Sequence, residues 1–264
     1  MSASDGVLVT RPAPGVTRLA LNRPEQRNAL TQDLAQAFRE QVAAVAGDPA
    51  VRALIVAGEG RSFCAGADLG ALGADATTVA AKRRVLSDYY HAFLDLRDLE
   101  LPTIAAVNGA AVGAGLNLAL CCDLRLLADD ARLGAPFTRL GIHPGGGNTW
   151  MLTHLAGPAA ARELLLLGEP LASERALALG LASRVVGREE LETAALEWAV
   201  HLASLPRPLL VSLKRTLRLA EAGGSWDEVM DFETTAQAES LLSNDAQEGW
   251  LAFKERRPPR FEDR

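Results

Sequence analysis

Cysteine, aromatic residues and long apolar runs are scarce in this sequence of 264 residues, and each scarcity excludes a class of protein. The three cysteines are an odd number, and the adjacent pair Cys121 and Cys122 cannot easily bridge, so they do not form a disulfide framework. No apolar run reaches about 18 residues without a charge, so no membrane span is predicted. The start MSASDGVLVT lacks the basic and apolar regions of a signal peptide. We therefore expect a cytoplasmic protein.

The charge balance argues against a nucleic-acid partner. The formal net charge is −6, and the basic residues form short runs rather than the stripe that neutralises a phosphate backbone. Hydrophobic residues make up 48% of the chain, which is enough for one sizeable core.

Strand-like and helix-like segments alternate over the first two thirds of the chain. RALIVAG reads as a buried strand, Thr31 is a suitable N-cap for a helix over 31–48, and another helix is expected over 78–98. From Pro206 to about Arg257 the pattern is helical. This alternation predicts an α/β fold. We expect an α/β core over 1–200 and a helical unit over 201–264.

Two glycine-rich turns are the strongest chemical signals. The first is RSFCAGADLG over 61–70, and the second is NGAAVGAGLNLAL over 108–120, where glycines open a predicted helix. Such turns expose backbone N–H groups, and two of them brought together can stabilise a developing oxyanion. Neither contains the dinucleotide-binding or P-loop pattern.

The two turns belong to a series of six ordered segments. They are NRPEQRNAL, SFCAGADL, PTIAAVNGAAVGAG, CDLRLLADDARLGAP, LGIHPGGG and AFKERRPPRF. In this order and spacing the chain resembles the enoyl-CoA hydratase/isomerase (crotonase) superfamily from about residue 7 to residue 261. The resemblance implies a fold of repeated ββα units with a C-terminal helical trimerisation region. It also implies a homotrimer or a dimer of trimers.

The ligand that the resemblance implies is an acyl-CoA thioester. Coenzyme A is then part of the substrate, and neither a separate cofactor nor a metal is expected. The thioester oxygen would accept hydrogen bonds from the backbone amides of Ala67 and Ala114. The positions matching the coenzyme A site are Arg23, Arg27, Ala29, Ala65, Asp68 and Arg256. For Asp68 a structural role at a helix start is the main interpretation, and for Arg256 a solvated terminal charge is the alternative.

Both glutamates used by hydratases of the superfamily are replaced. Asn117 stands three residues after Ala114, and Phe137 stands after the proline of GAPFTRLG. Asparagine cannot take a proton from water at neutral pH, and phenylalanine neither takes nor gives one. Each positioned acid or base contributes about 10²–10⁴ in rate, so hydration by the two-glutamate route is not expected to be efficient.

Other residues are candidates for the missing chemistry. His143 lies in the loop before Pro144 and is a candidate base, although a hydrogen-bonded loop histidine is the alternative. Thr138 could bind ligand or water, or only satisfy the backbone. Tyr90 and His91 are interpreted as pocket wall or core. Cys64 is interpreted as a small buried residue rather than a nucleophile.

Three functions stay open at this stage. The first is an enzyme that stabilises a thioester enolate with an unusual acid/base set. The second is an acyl-CoA-binding protein without catalysis. The third is hydrolysis or another substitution at the acyl group, with His143 as base and a water held by Asn117.

Overall fold

Strands and helices alternate through most of the chain in a computed structural model that describes residues 2–4, 6–68 and 72–263. The strands within these ranges are β1 (Ser2–Ser4), β2 (Val7–Ala13), β3 (Val16–Leu21), β4 (Ala53–Gly58), β5 (Ser62–Cys64), β6 (Thr103–Val107), β7 (Ala110–Val112), β8 (Leu124–Ala128), β9 (Arg132–Gly134), β10 (Leu171–Ala172) and β11 (Arg184–Val186). The helices are α1 (Gln32–Gly47), α2 (Val79–Arg97), α3 (Ala114–Leu120), α4 (Asn148–Leu167), α5 (Ser173–Ala178), α6 (Leu191–Ala203), α7 (Arg207–Glu221), α8 (Trp226–Leu241) and α9 (Asn244–Glu255).

The strands form two sheets. The larger has the order β1-β2-β3-β4-β6-β8-β11, in which β1, β2 and β3 pair antiparallel and the rest pair parallel. The smaller has the order β10-β9-β7-β5, and only the β10–β9 pair is antiparallel. Parallel strands joined through helices confirm the predicted α/β class.

The centre of the larger sheet is buried on both faces. Every residue of β4 and β6 is buried, as expected for parallel strands with near-continuous apolar sequence. Helix α6 packs against β4, β6 and β8, while β5 of the smaller sheet packs against β4 and β6. The buried strand predicted from RALIVAG is therefore confirmed as β4.

Helix α1 begins where its cap predicts. The Thr31 hydroxyl accepts a hydrogen bond from the Leu34 amide, 3.4 Å away, because Thr31 is extended while the next residue is helical. One face of α1 packs against the core, because the apolar residues at helical spacing are all buried. They are Leu34, Phe38, Val42 and Val45.

Some elements differ from the sequence-based expectations. Helix α4 is kinked at Gly157, which has φ +78° and precedes Pro158. The short strands β5, β7, β9 and β10 were not predicted, because two or three residues carry too little periodicity. The helix expected after the first glycine-rich turn falls partly on 69–71, outside the described residues. The domain boundary at residue 200 stays a prediction, and it lies within α6.

An ion pair between buried Lys214 and the more exposed Asp123 is one of the contacts that join the C-terminal helices to the core. The Lys214 Nζ donates to Asp123 Oδ2 at 2.6 Å and to the Leu101 carbonyl at 2.9 Å. The same Asp123 oxygen accepts from the amide and the hydroxyl of Thr103. Helix α7 is therefore held to the ends of β6 and β8. Among the described residues no helix is long and apolar enough to cross a membrane.

We expect Lys214→Met to lower the free energy of unfolding by about 1–3 kcal/mol, because the buried Leu101 carbonyl and the Asp123 carboxylate both lose a hydrogen-bond donor. Urea denaturation followed by circular dichroism measures the change. The matched control is Arg215→Met, because the ion pair between Arg215 and Glu100 is exposed on both sides. This change should alter the free energy of unfolding by less than about 0.5 kcal/mol. Equal losses of unfolding free energy in the two variants would contradict the structural role of Lys214.

Candidate active site

The two glycine-rich turns follow two neighbouring parallel strands. β5 and β7 pair in parallel, with Ser62 opposite Ala110. The carboxyl ends of parallel strands lie at the same edge of a sheet, so the chain leaves both strands at one edge. A Cβ atom built on Gly66 would lie 2.7 Å from the Val112 carbonyl oxygen and 3.9 Å from the Ala114 nitrogen. The turns therefore touch, and Ala67 and Ala114 lie on either side of this contact.

Helix α3 begins at the second turn. Gly113 has φ +54°, a conformation that favours glycine, and Ala114 is the first helical residue. The first amides of a helix have no acceptor within the helix. In α3 the Asn117 amide donates to the Gly113 carbonyl at 3.0 Å, so the Ala114 amide precedes this first helical bond. The Ala67 and Ala114 amides donate none of the hydrogen bonds described for residues 6–68 and 72–263. Their role toward a ligand oxygen stays a prediction.

The segment over 27–30 is joined to the first turn by backbone hydrogen bonds. The Ala65 amide donates to the Arg27 carbonyl at 3.0 Å, and the Leu30 amide donates to the Gly66 carbonyl at 2.8 Å. Three of the residues assigned to the coenzyme A site, Arg27, Ala29 and Ala65, thus lie together beside Ala67. Arg27 is exposed, and the other two are half-buried.

Buried Asn28 holds this segment in place, a role that was not predicted from the sequence. Its Oδ1 accepts from the Arg23 amide, while its Nδ2 donates to the carbonyls of Glu59 and Ser62. Asn28 has φ +54°, which asparagine tolerates better than most residues. An asparagine between an arginine and an apolar run was the available signal. Without the fold, its acceptors and donors could not be named.

Arg23 is engaged within the chain. Its guanidinium donates to Asp33 Oδ2 at 2.6 Å and to Thr31 Oγ1 at 3.0 Å. The hydrogen bonds from Arg23 and Thr31 hold the pKa of the Asp33 carboxyl well below its usual range. Asp68 is exposed, and its carbonyl accepts from the Leu72 amide. The role of Arg23 and Asp68 toward coenzyme A stays a prediction.

Asn117 uses its amide to join two parts of the site. Its Nδ2 donates to the Gly145 carbonyl at 2.9 Å, and its Oδ1 accepts from Asn148 Nδ2 at 2.6 Å. Asn117 is 1% exposed, so these contacts are shielded from solvent. Within the described part of the chain, the buried Asn148 Oδ1 has no hydrogen-bond partner. Asn117 therefore connects α3 to the glycine loop over 145–147, and the pair retains one free acceptor.

An aromatic ring faces the second turn where a carboxylate is absent. Phe137 is half-buried, and its Cζ lies 3.9 Å from a Cβ atom built on Gly113. This ring lowers the polarity beside Ala114 and offers no proton acceptor. The Thr138 hydroxyl points away to the Leu165 carbonyl of α4, at 3.2 Å, which matches its backbone-satisfying interpretation.

His143 is exposed, and its Nδ1 lies 2.7 Å from the Pro144 carbonyl oxygen. Because a carbonyl only accepts, Nδ1 carries the proton and Nε2 is the acceptor in the neutral ring. His143 therefore presents a basic nitrogen at the start of the glycine loop.

Helix α2 lies against the same glycine loop. A Cβ atom on Gly145 would collide with the Tyr90 hydroxyl, and one on Gly146 would lie 2.6 Å from Phe93 Cζ and 2.8 Å from Asn117 Nδ2. Burial raises the pKa of Tyr90, so its hydroxyl stays protonated at neutral pH. Tyr90 thus borders the loop that Asn117 holds. His91 points outward and pairs with Asp95 at 2.9 Å.

Cys64 is buried at the end of β5. Burial raises its pKa to about 12, so the thiolate is scarce at neutral pH and the side chain is not an activated nucleophile. Its structural role is close packing. A Cβ atom on Gly115 would collide with the Cys64 carbonyl oxygen and lie 2.7 Å from its Cβ. Only glycine at position 115 lets α3 approach β5 this closely.

Arg256 lies far along the chain, just after α9, and its side chain is exposed. Its reach to coenzyme A in a neighbouring subunit stays a prediction. Among the described residues, no group of three or more histidine, cysteine or carboxylate side chains is arranged to hold a metal ion.

A family model described as enoyl-CoA hydratase/isomerase matches residues 12–264. This chain belongs to the enoyl-CoA hydratase/isomerase family. It is 45% identical over 212 residues to the probable enoyl-CoA hydratase EchA14 of Mycobacterium tuberculosis, covering 80% of this chain and 81% of the relative. It is 37% identical over 249 residues to the 1,2-epoxyphenylacetyl-CoA isomerase of Escherichia coli, covering 94% and 95%.

The fold agrees with that membership. The crystal structure of an enoyl-CoA hydratase from Bacillus anthracis superposes with a TM-score of 0.91 at 31% identity, covering 98% of this chain and all of that one. The crotonase fold expected from the ordered segments is therefore confirmed.

We expect Gly115→Ala to lower the free energy of unfolding by about 1–3 kcal/mol or more, because the new methyl group forces α3 away from the backbone of Cys64. Chemical denaturation measures the loss. Gly47→Ala is the control, since a Cβ atom there meets nothing within 4 Å and Gly47 ends α1. A Gly115→Ala protein as stable as the control would show that the close approach is not required.

Proposed function

We propose that this protein is an enzyme that binds an acyl-CoA thioester and stabilises its enolate, with lyase or isomerase chemistry. One observation carries the proposal: Ala67 and Ala114 leave adjacent parallel strands at one edge and flank a direct contact between their turns. Family membership supplies the substrate class, since relatives are named as enoyl-CoA hydratases and acyl-CoA isomerases.

The two amides act on the thioester carbonyl oxygen. Loss of a proton from the α-carbon moves negative charge onto that oxygen, and preorganised N–H donors stabilise this charge more than the neutral carbonyl. Removing one such donor typically costs about 10²–10³ in rate. The half-buried Phe137 ring strengthens the effect because it excludes water from the neighbourhood of Ala114.

The proton transfers use groups other than two glutamates. Asn117 is bonded to the Gly145 carbonyl and to Asn148, so it orients the loop rather than accepting a proton. The unpaired Asn148 Oδ1 is an acceptor for a bound water or a substrate hydroxyl. His143, with Nε2 as its acceptor, is the proposed base.

Coenzyme A is proposed to lie along the first turn. Arg27 is exposed beside half-buried Ala29 and Ala65, and the backbone bonds that join these segments form a rigid edge. An exposed guanidinium there suits a phosphate group.

We also infer self-association as a homotrimer or a dimer of trimers. Large apolar side chains on the C-terminal helices are exposed in the single chain, including Trp226 at 77%, Trp250 at 64% and Phe253 at 82%. Apolar exposure of this kind marks a surface that a partner covers.

A second candidate is an acyl-CoA-binding protein without turnover. Its specific support is that both polar ends of Asn117 are engaged internally and that Phe137 is apolar. Both candidates predict acyl-CoA binding, and they differ in proton exchange at the α-carbon.

The test of the oxyanion site compares Ala114→Pro with Ala114→Gly. Proline is tolerated as the first residue of a helix, where the N–H has no helical acceptor, so the first change removes the donor and the second keeps it. We expect α-proton exchange to be about 10²–10³-fold slower in the proline variant and close to the wild-type rate in the glycine variant. The measurement is α-proton exchange of saturated acyl-CoA esters in D₂O by mass spectrometry.

Thermal unfolding of both variants controls for folding. Exchange that is equal in the two variants would contradict the role of Ala114. Saturable acyl-CoA binding without exchange in wild type would favour the second candidate, and absence of acyl-CoA binding would refute both. His143→Ala, with binding intact, should abolish exchange if His143 is the base.

We expect wild-type protein to hydrate crotonyl-CoA poorly and Phe137→Glu to raise the rate, because the new carboxylate faces the turn that begins α3. Loss of the enoyl absorbance measures hydration. Phe137→Gln is the matched control, similar in size but unable to accept a proton. Rapid hydration by wild type would show that Asn117 and Phe137 do not disable this reaction.

A further inference from the structure

A cavity of about 160 Å³ lies at the end of α3 that is remote from Ala114. Helix α3 has seven residues, so at about 1.5 Å per residue its two ends are roughly 10 Å apart. The cavity is enclosed by the end of α2, the turn between α3 and β8, the first part of α4, and α7. Its charged lining residues are Arg97, Asp123, Arg125, Lys214, Arg218 and Glu221.

Arg125 is a buried guanidinium that interacts with the carboxylates of Asp123 and Glu221 only at longer range. It is 6% exposed, and it forms no salt bridge with a carboxylate of the described residues. Its Nε donates to the Leu181 carbonyl at 2.8 Å and its Nη1 to the Cys122 carbonyl at 2.7 Å. A guanidinium has five N–H donors, so these two bonds leave three of them for another acceptor. A buried charge is normally paired, because leaving water is costly.

The acidic residues that line the cavity do not neutralise all of its basic residues. Lys214 is paired with Asp123, and Arg97 lies 3.8 Å from Glu221. Arg218 donates to the carbonyls of Asp98 and Leu99 at the end of α2. Four basic side chains face two acidic ones, a difference of two charges. The carboxyl ends of α2 and α3 contribute about half a negative charge each, so a positive excess remains.

We propose that this cavity is a binding site for a phosphate-type oxyanion, with Arg125 as its principal ligand and Arg97 as the second guanidinium. Guanidinium groups bind phosphate through paired hydrogen bonds, which favours a tetrahedral oxyanion over chloride. The volume is sufficient, because a phosphate has five heavy atoms and a water molecule takes up about 30 Å³ in the liquid.

The position of the site gives it a structural consequence. An anion between Arg125 and Arg97 joins the start of β8 to the end of α2, beside the Lys214 contact that holds α7. Binding there stabilises α3, whose other end supplies Ala114. This inference does not depend on the proposed acyl-CoA chemistry, since none of the cavity's charged lining residues is assigned to that site.

The test is isothermal titration calorimetry of the full chain with inorganic phosphate and, separately, glycerol 3-phosphate, at constant ionic strength set with chloride. The two ligands distinguish free phosphate from a phosphate group on a larger molecule. We expect saturable binding of at least one of them that Arg97→Gln weakens about tenfold or more. Arg84→Gln, an exposed change on the same helix, should leave the affinity unchanged.

Arg125→Met serves as a second variant, and its folding is checked by circular dichroism. No saturable binding of either ligand by wild type would overturn the proposal. Binding that is as tight in both Arg97→Gln and a folded Arg125→Met protein would also overturn it, because the ligand would then occupy another site.

Discussion

The close approach of α3 to β5 is the contact on which the rest of the site depends. Gly115 lies so near the backbone of Cys64 that no side chain fits between them, and the parallel pairing of β5 and β7 sets the direction of both chains. Two residues further along α3, Asn117 reaches the Gly145 carbonyl and so positions the glycine loop. Against this loop lie Tyr90 and Phe93 of α2. A single glycine contact thus determines the relative positions of two turns, one helix and one loop.

The replacement of two carboxylates changes the physical character of the site. A glutamate at 117 would carry a charge in a place that is 1% exposed, whereas asparagine satisfies the same surroundings with neutral hydrogen bonds. Phe137 adds an apolar surface beside Ala114. Under the proposed function, the amides of Ala67 and Ala114 stabilise charge, and residues other than Asn117 and Phe137 transfer protons.

Charge is concentrated instead on the other side of α3. Arg125 and Lys214 are both buried there, and burial lowers the pKa of each. Asp123 connects this region to β6 through Thr103 and to α7 through Lys214. The C-terminal helices therefore rest on an electrostatic contact, while the core beneath them is held by the buried apolar strands β4 and β6. The two kinds of contact respond differently to salt and to mutation.

The sequence by itself determined the α/β class, the capped start of α1 at Thr31, the buried strand β4 and the two glycine-rich turns, because these depend on neighbours within a few residues. It also determined that positions 117 and 137 lack carboxylates. Only the tertiary structure decided that Asn117 bonds Gly145 and Asn148, that Asn28 holds the first turn, and that Arg125 donates to the Leu181 carbonyl. These contacts join residues up to 56 positions apart, as Arg125 and Leu181 are. Local pattern carries no information on such pairings, because they follow from how the strands are ordered in the sheets.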